Sequence, residues 1–258
     1  MKYNLLQKTL TVGSALIALP ALAADVLPSY NLHPNFPVDV TDAYALEYQS
    51  VAAFGIVRYE HTDSGQNSWL LQPEIKYGFA PKWEVDLAIP FLEGSFKGTG
   101  GGNIRVGALY NFLDDHDLWP ALAVSPQIEF PTGRASRGLD IGVTLAATKS
   151  LAAYIPGEAG DAVHFDFSLF HNSGARTVER DNYYRIVFGY SRRLFENMVG
   201  VVDFLHQQTI LSGHDENIME GGVIYSFQKN LSVSGGIGFG VGAESPDVRI
   251  TGGVMYTF

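Results

Sequence analysis

The amino-acid sequence predicts an all-β chain, a transmembrane antiparallel β-barrel of about 12 strands. Three observations carry that reading. Apolar side chains alternate with polar or small ones in runs of roughly ten residues, the length a tilted strand needs to cross a bilayer core. Past residue 24 no stretch of about 18 uninterrupted apolar residues occurs, so helical spans are not expected. Glycine (28), phenylalanine (16) and tyrosine (13) are abundant and cysteine is absent, which suits strands and tight turns held without disulfides.

The chain opens with "MKYNLLQKTLTVGSALIALPALAAD", in which Lys2 and Lys8 precede an apolar run and the small-residue triplet Ala21, Leu22, Ala23. This pattern reads as a secretory signal peptide over residues 1–23, too short in its apolar run for a span of ~20 residues. Residues 24–42 follow, rich in proline that disfavours strands, and are expected to form a periplasmic tail or a plug. The barrel is expected over 43–258. Losing Lys2 and Lys8 leaves 15 of the 17 basic residues against 27 acidic ones, a formal charge of −12. Nucleic acid is therefore not an expected partner.

Twelve strands are read near 43–60, 68–79, 83–91, 103–112, 120–131, 139–150, 162–172, 182–192, 198–209, 217–227, 231–241 and 248–258. The clearest is "KWEVDLAIPFL", where Trp83, Val85, Leu87, Ile89 and Phe91 share one face and Glu84, Asp86, Ala88 and Pro90 the other. Before it, "LLQPEIKYGF" sets Leu71, Ile75, Tyr77 and Phe79 against Gln72, Glu74 and Lys76, and "APK" joins the two as a hairpin. The alternation returns in "GNIRVGALYNF", "ALAVSPQIEF", "DIGVTLAATK", "VHFDFSLF" and "YYRIVFGY", blurs in "MVGVVDFL", and continues to the terminal "RITGGVMYTF". A soluble sandwich would bury the apolar parity and wet the other. Here the second parity is rich in Gly, Ser and Thr, and aromatics such as Trp83, Phe91, Phe112, Trp119 and Phe227 gather at strand ends, where interfacial girdles belong.

The apolar parity then faces lipid and the polar parity the lumen. Lumen candidates for a solute path are the acids Glu74, Glu84, Asp86, Glu129, Asp166, Asp203 and Glu220 and the bases Lys76, Arg105, Arg185 and Arg249. Their sum of −3 suggests a weak preference for cations or neutral solutes. On the last three strands Gly222, Ser234, Gly236, Gly238, Gly240 and Gly253 leave a nearly bare inner wall, and Gly236, Gly238 and Gly240 are expected to border the open path. No aromatic-lined inward face is evident in the alternation.

With the C-terminus periplasmic, "APK", "DDHDLWP", "LAAYIPGEAGD", "RRLFEN" and "QKN" become periplasmic turns, and the outward loops fall near 61–67, 92–102, 132–138, 173–181, 210–216 and 242–247. A last strand ending on Phe258 resembles the signal that outer-membrane barrel assembly machinery reads. The order "YGFAPKWEVDLAIPF", then "GTGGGNIRVGALYNF", then "FPTG" at 130–133, then Asn172 to Gly174 resembles the outer-membrane family labelled "putative MetA-pathway of phenol degradation" over roughly residues 70–258. The resemblance implies a monomeric barrel in the outer membrane of a Gram-negative bacterium that passes small organic molecules, with aromatic or hydrophobic ones as a candidate class. It brings no established binding residues.

Two other functions deserve weighing. In "FHNSGAR", His171 and Ser173 lie two residues apart with Asn182 opening the next strand, similar to the His-x-Ser pair and later Asn of outer-membrane phospholipase A, whose chemistry is acyl hydrolysis. That family has Asn-Gly-Arg directly after the serine, whereas Gly174, Ala175 and Arg176 follow here. A purely structural or adhesive barrel is the other alternative. No phosphate-binding loop precedes a helix and no His/Asp spacing suits a metal, so neither cofactor nor metal is expected, and the chain reads as a non-enzymatic channel.

Overall fold

The computed structural model describes residues 32–62, 64–94, 99–116, 118–134, 138–152 and 160–258, so the expected signal peptide lies outside the described residues. Period-two alternation becomes twelve antiparallel strands. They are β1 (Val51–His61), β2 (Asn67–Ala80), β3 (Trp83–Ala88, resumed as Phe91–Gly94), β4 (Gly100–Gly101, resumed as Ile104–Leu113), β5 (Ala121–Phe130), β6 (Asp140–Ser150), β7 (Asp161–Asn172), β8 (Asn182–Phe195), β9 (Met198–Gln208), β10 (Asp215–Gln228), β11 (Leu231–Gly240) and β12 (Val248–Thr257).

Each strand pairs with the next, and β1 pairs with β12 from Ala52↔Thr257 to His61↔Val248, which closes the sheet into a barrel without a free edge. Twelve strands ~4.8 Å apart and tilted ~40° imply a backbone radius of roughly 12 Å. The break in β3 falls at Ile89 and Pro90. Proline has no N–H to give the ladder, yet Pro90 O accepts from Gly102 N at 2.7 Å and Ile89 N donates to Pro73 O at 3.0 Å, so pairing resumes on both sides.

Two-residue turns at Pro81–Lys82, Glu196–Asn197 and Lys229–Asn230 mark one rim, while longer connections such as 173–181 and 241–247 mark the other. The outward face is a continuous apolar belt. On β2, Leu71 is 50% and Ile75 46% exposed, while the inward Gln72 and Glu74 are 6% and 4% exposed. Lipid is the environment in which such a face rests without penalty. Aromatic rings gather along the short-turn rim, with Trp83 stacked on Tyr110 at 4.2 Å and Tyr256 edge-on to Phe258 at 4.9 Å. At the other rim Tyr59 meets Trp69 at 4.7 Å.

The first strand departs from the sequence expectation. It starts at Val51 and not near 43, because residues 43–46 belong to a segment that runs inside the barrel, with Ala43 and Leu46 buried. Leu32, Phe36, Val38, Val40 and Leu46 of that segment form a core with inward side chains of the wall: Phe54 and Ile56 of β1, Val187 of β8, Val201 and Leu205 of β9, Ile218 and Ile224 of β10 and Met255 of β12. Burying a large apolar side chain contributes roughly 1.5–3 kcal/mol, so these five contacts hold the segment firmly.

Candidate functional site

The lumen is organised by how residues 32–46 satisfy their backbone. A chain in a barrel has no strand partner for its amides, and buried N–H groups left unpaired are costly. Inward carboxylates supply the acceptors. Val40 N donates to Asp203 Oδ2 at 2.7 Å, Thr41 N to Asp166 Oδ2 at 2.9 Å and Leu46 N to Glu84 Oε2 at 2.7 Å. Ala43 N donates to Thr148 Oγ1 at 3.0 Å, and Asn111 Nδ2 donates to Ala43 O at 2.6 Å.

Side chains of the segment complete the attachment. His33 Nε2 meets Glu74 Oε1 at 2.5 Å. Asp39 sits between two guanidinium groups, with Arg249 Nη1 at 2.6 Å and Arg58 Nη2 at 3.0 Å. Burial pushes its carboxyl up, but Arg58 and Arg249 outweigh burial and hold it well below the usual carboxylate range. Arg249, itself fully buried, also donates to Glu60 Oε1 at 2.9 Å and Glu220 Oε1 at 3.4 Å. Arg249 of the predicted solute path is therefore a structural centre.

The bare inner wall has a related cause. A Cβ on Gly253 would lie 2.6 Å from Phe36, one on Gly236 would lie 2.7 Å from Pro37 O, and one on Gly222 would lie 2.7 Å from the Pro37 ring. Carbon atoms do not approach so closely. The glycines make room for the segment, and Gly236 does not border an open path as expected from sequence. Gly240 abuts Pro246 O and Gly238 abuts the Glu220 side chain, and neither lines the vestibule or the inner cavity described below. Gly253→Leu is expected to drive Phe36 from its seat and raise ion conductance several-fold while leaving the lipid face unchanged; planar-bilayer recordings of the two proteins check this.

Open space lies instead along the charged wall of β2 to β8. A vestibule of about 730 Å³ at the long-loop rim is lined by Pro90, Arg105, Glu129, Arg134, Asp140 and Arg176 among others. It meets, at Arg105 and Glu129, an inner cavity of about 240 Å³ that also touches Lys76, Glu84, Asp86 and Arg185. That cavity meets in turn, at Lys76 and Glu84, a pocket of about 20 Å³ against Leu32, Asp42 and Leu46 of the segment. The path narrows where the segment crosses it.

The predicted charges split into two groups. Lys76 pairs with Glu84 at 2.7 Å, and Arg105 bridges Glu74 at 2.9 Å and Asp86 at 3.5 Å, so each of these five charges on β2 to β4 has a partner of opposite sign. Asp166, Asp203 and Glu220 serve the segment and Arg249 instead. Of the expected charges, four acids and three bases remain along the wall of β2 to β8, a sum of −1 in place of −3. The structure also brings Phe170 and Tyr183 inward, stacked at 4.9 Å, beside Arg185, so an aromatic lumen face exists where none was expected.

At the outer end of β7, His171 Nδ1 meets Asn182 Oδ1 at 3.0 Å. Ser173 Oγ donates to the carbonyl of Leu139 at 2.6 Å, which directs its hydroxyl hydrogen away from His171. Among the described residues no three His, Asp or Glu side chains are grouped to hold a metal ion.

Residues 48–258 match the model of the family described as "Putative MetA-pathway of phenol degradation". The segment at 32–47 precedes that match. The fold is similar to that of an outer membrane channel from Pseudomonas putida F1, with 13% identity and a TM-score of 0.66 over 86% of this chain and 100% of that one. It is also similar to the KdgM porin, with 11% identity and a TM-score of 0.56 over 80% of this chain and 99% of that one. No curated protein sequence matches the chain.

Proposed function

Because the chain belongs to the family described as "Putative MetA-pathway of phenol degradation", we propose that it is an outer-membrane channel through which small organic solutes diffuse, aromatic ones among them. The observation that carries the proposal is the chain of cavities from about 730 through 240 to 20 Å³, wide at the long-loop rim and closed down by residues 32–46. Solutes enter at the vestibule, which the long loops surround, and meet a wall of paired charges that offers hydrogen bonds without a strong net field. The KdgM porin has also been solved with a disordered oligogalacturonate, and that likeness in fold agrees with a permeation role. In this reading residues 1–23 direct export, the strand ending at Phe258 is read by the assembly machinery, and the short-turn rim lies in the periplasm.

The test is conductance of the refolded full chain in planar bilayers, joined to liposome swelling with neutral solutes of graded size. Small resolvable conductance with weak ion selectivity and a low size limit supports the channel. A barrel that is fully folded and passes neither ions nor solutes would favour a structural or adhesive role.

The His171, Ser173 and Asn182 set is read as part of the loop architecture, since the Ser173 hydroxyl is committed to Leu139 O. Accordingly, purified protein and Ser173→Ala are expected to show the same background phospholipid hydrolysis with calcium present. Acyl hydrolysis lost in Ser173→Ala would reverse that assignment.

A further inference from the structure

The inner cavity of about 240 Å³ contains a cation that the protein leaves unmatched. Lys76 and Arg105, which also line it, have carboxylate partners at 2.7–3.5 Å. Arg185 of β8 has none among the described residues, and its Nε is buried without a hydrogen-bond partner. Three acids lie in its field, namely Asp39, Glu129 and Asp166. None forms an ion pair with it: Asp39 is held by Arg58 and Arg249, Glu129 accepts from Gln127 Nε2 at 3.1 Å, and Asp166 accepts from Thr41 N at 2.9 Å through Oδ2, its Oδ1 having no hydrogen-bond partner. A partly buried guanidinium with an unpartnered Nε carries a standing cost that a planar, bidentate anion relieves.

An aromatic surface adjoins it. Tyr183 stands two residues before Arg185 on the same inward parity and stacks on Phe170 with rings 4.9 Å apart and 17° from parallel. Phe170 lies down because Gly142 gives way beneath it: a Cβ there would come within 2.7 Å of the ring. A guanidinium beside a flat apolar surface, in a space larger than the ~150 Å³ cavity that accepts benzene, calls for a ligand with both features.

We propose that this cavity is a binding site for a small ring carboxylate, with Arg185 holding the carboxylate and the Phe170 and Tyr183 pair holding the ring. The proposal rests on the channel reading and deepens it, since the site adjoins the vestibule at Arg105 and Glu129. Neutral ring compounds forgo the ion pair, and acetate forgoes the ring contact. Both are weaker ligands.

The test uses the refolded full chain in detergent, titrated calorimetrically with benzoate, benzamide and acetate, alongside Arg185→Gln, Arg185→Lys and Phe170→Ala. Heat-modifiable migration on gels verifies that each barrel is folded. Benzoate is expected to bind saturably and at least about tenfold more tightly than benzamide or acetate, the scale of one charge-assisted contact. Arg185→Gln is expected to remove that advantage over benzamide, Arg185→Lys to restore part of it, and Phe170→Ala to weaken benzoate without changing acetate. Equal binding of benzoate and benzamide, or benzoate affinity unchanged in Arg185→Gln, overturns the site. Potassium chloride conductance separates the two readings: a conducting barrel without benzoate preference sinks only this inference, and a silent barrel that binds benzoate through Arg185 sinks only the channel.

Discussion

Asp39→Ala is expected to raise the single-channel conductance of the refolded barrel several-fold, towards that of a chain lacking residues 24–46. The carboxylate removed is the one that both Arg58 and Arg249 address, at 3.0 and 2.6 Å. Arg249 keeps Glu60 and Glu220, but Arg58 loses the partner of its Nη2 while its Nε is already buried without one. Removing one member of a buried pair costs about 3–5 kcal/mol where the remaining charge stays dry. The cost falls on the seated state alone, because a released segment lets water reach Arg58. Even 3 kcal/mol shifts a seating equilibrium more than about a hundredfold. Recordings of the parent, Asp39→Ala and the deletion in one lipid check the order. Parent-like conductance in both variants would mean that residues 32–46 do not limit the path.

Val85→Arg is expected to impair membrane assembly far more than Asp86→Arg. Val85 is on the lipid-facing parity of β3 and Asp86 on the lumen parity, where it lies at 3.5 Å from Arg105. An arginine on the lipid face costs about 2–4 kcal/mol at the bilayer midplane and about 0–1 kcal/mol at the rims, and Val85, two residues in from Trp83, falls between these limits. At position 86 a second cation beside Arg105 repels it, but the head remains in a wet, polar space. Folding yield into liposomes, read as the heat-modifiable fraction, separates the two. Equal yields would mean that the inward and outward faces have been exchanged.

The wall was legible from sequence because one side of it meets lipid and the other water. Where both conditions hold, as for Trp83, Val85 and Leu87 against Glu84 and Asp86, the alternation and the observed facing agree residue by residue. Legibility failed where the inner face meets protein. Phe54 and Ile56 of β1 turn inward into one cluster with Phe36 and Val38, so the first half of β1 is apolar on both sides and its start could not be fixed by period. The same segment explains Gly222, Gly236 and Gly253, whose bare inner wall is filled by Pro37 and Phe36. Inward charges were identified correctly as a set, but their roles depended on partners far off in the chain, such as Thr41 for Asp166. Phe170 and Tyr183 were hidden for a different reason: each adjoins an outward aromatic or aliphatic neighbour, and a local run of apolar residues masks which of them turns in.

The attachment of residues 32–46 also dictates an order of events in assembly. Asp39 binds Arg249 across 210 residues of sequence and Val40 binds Asp203 across 163, while Leu46 reaches Glu84 across only 38. The contact to Asp203 needs the wall as far as β9, and the contact to Arg249 needs β12, so the docking is complete only after the last strand is in place. The portion of the barrel synthesised earliest is thus the portion that docks last, and it must stay on the inner side of the β1–β12 seam while that seam zips. Refolding is expected in two kinetic stages, a slow closure that develops the strand signal followed by a docking step that excludes water from Phe36 and Arg249. A chain whose leading segment is held outside at the moment of closure would be trapped as a sealed but empty barrel.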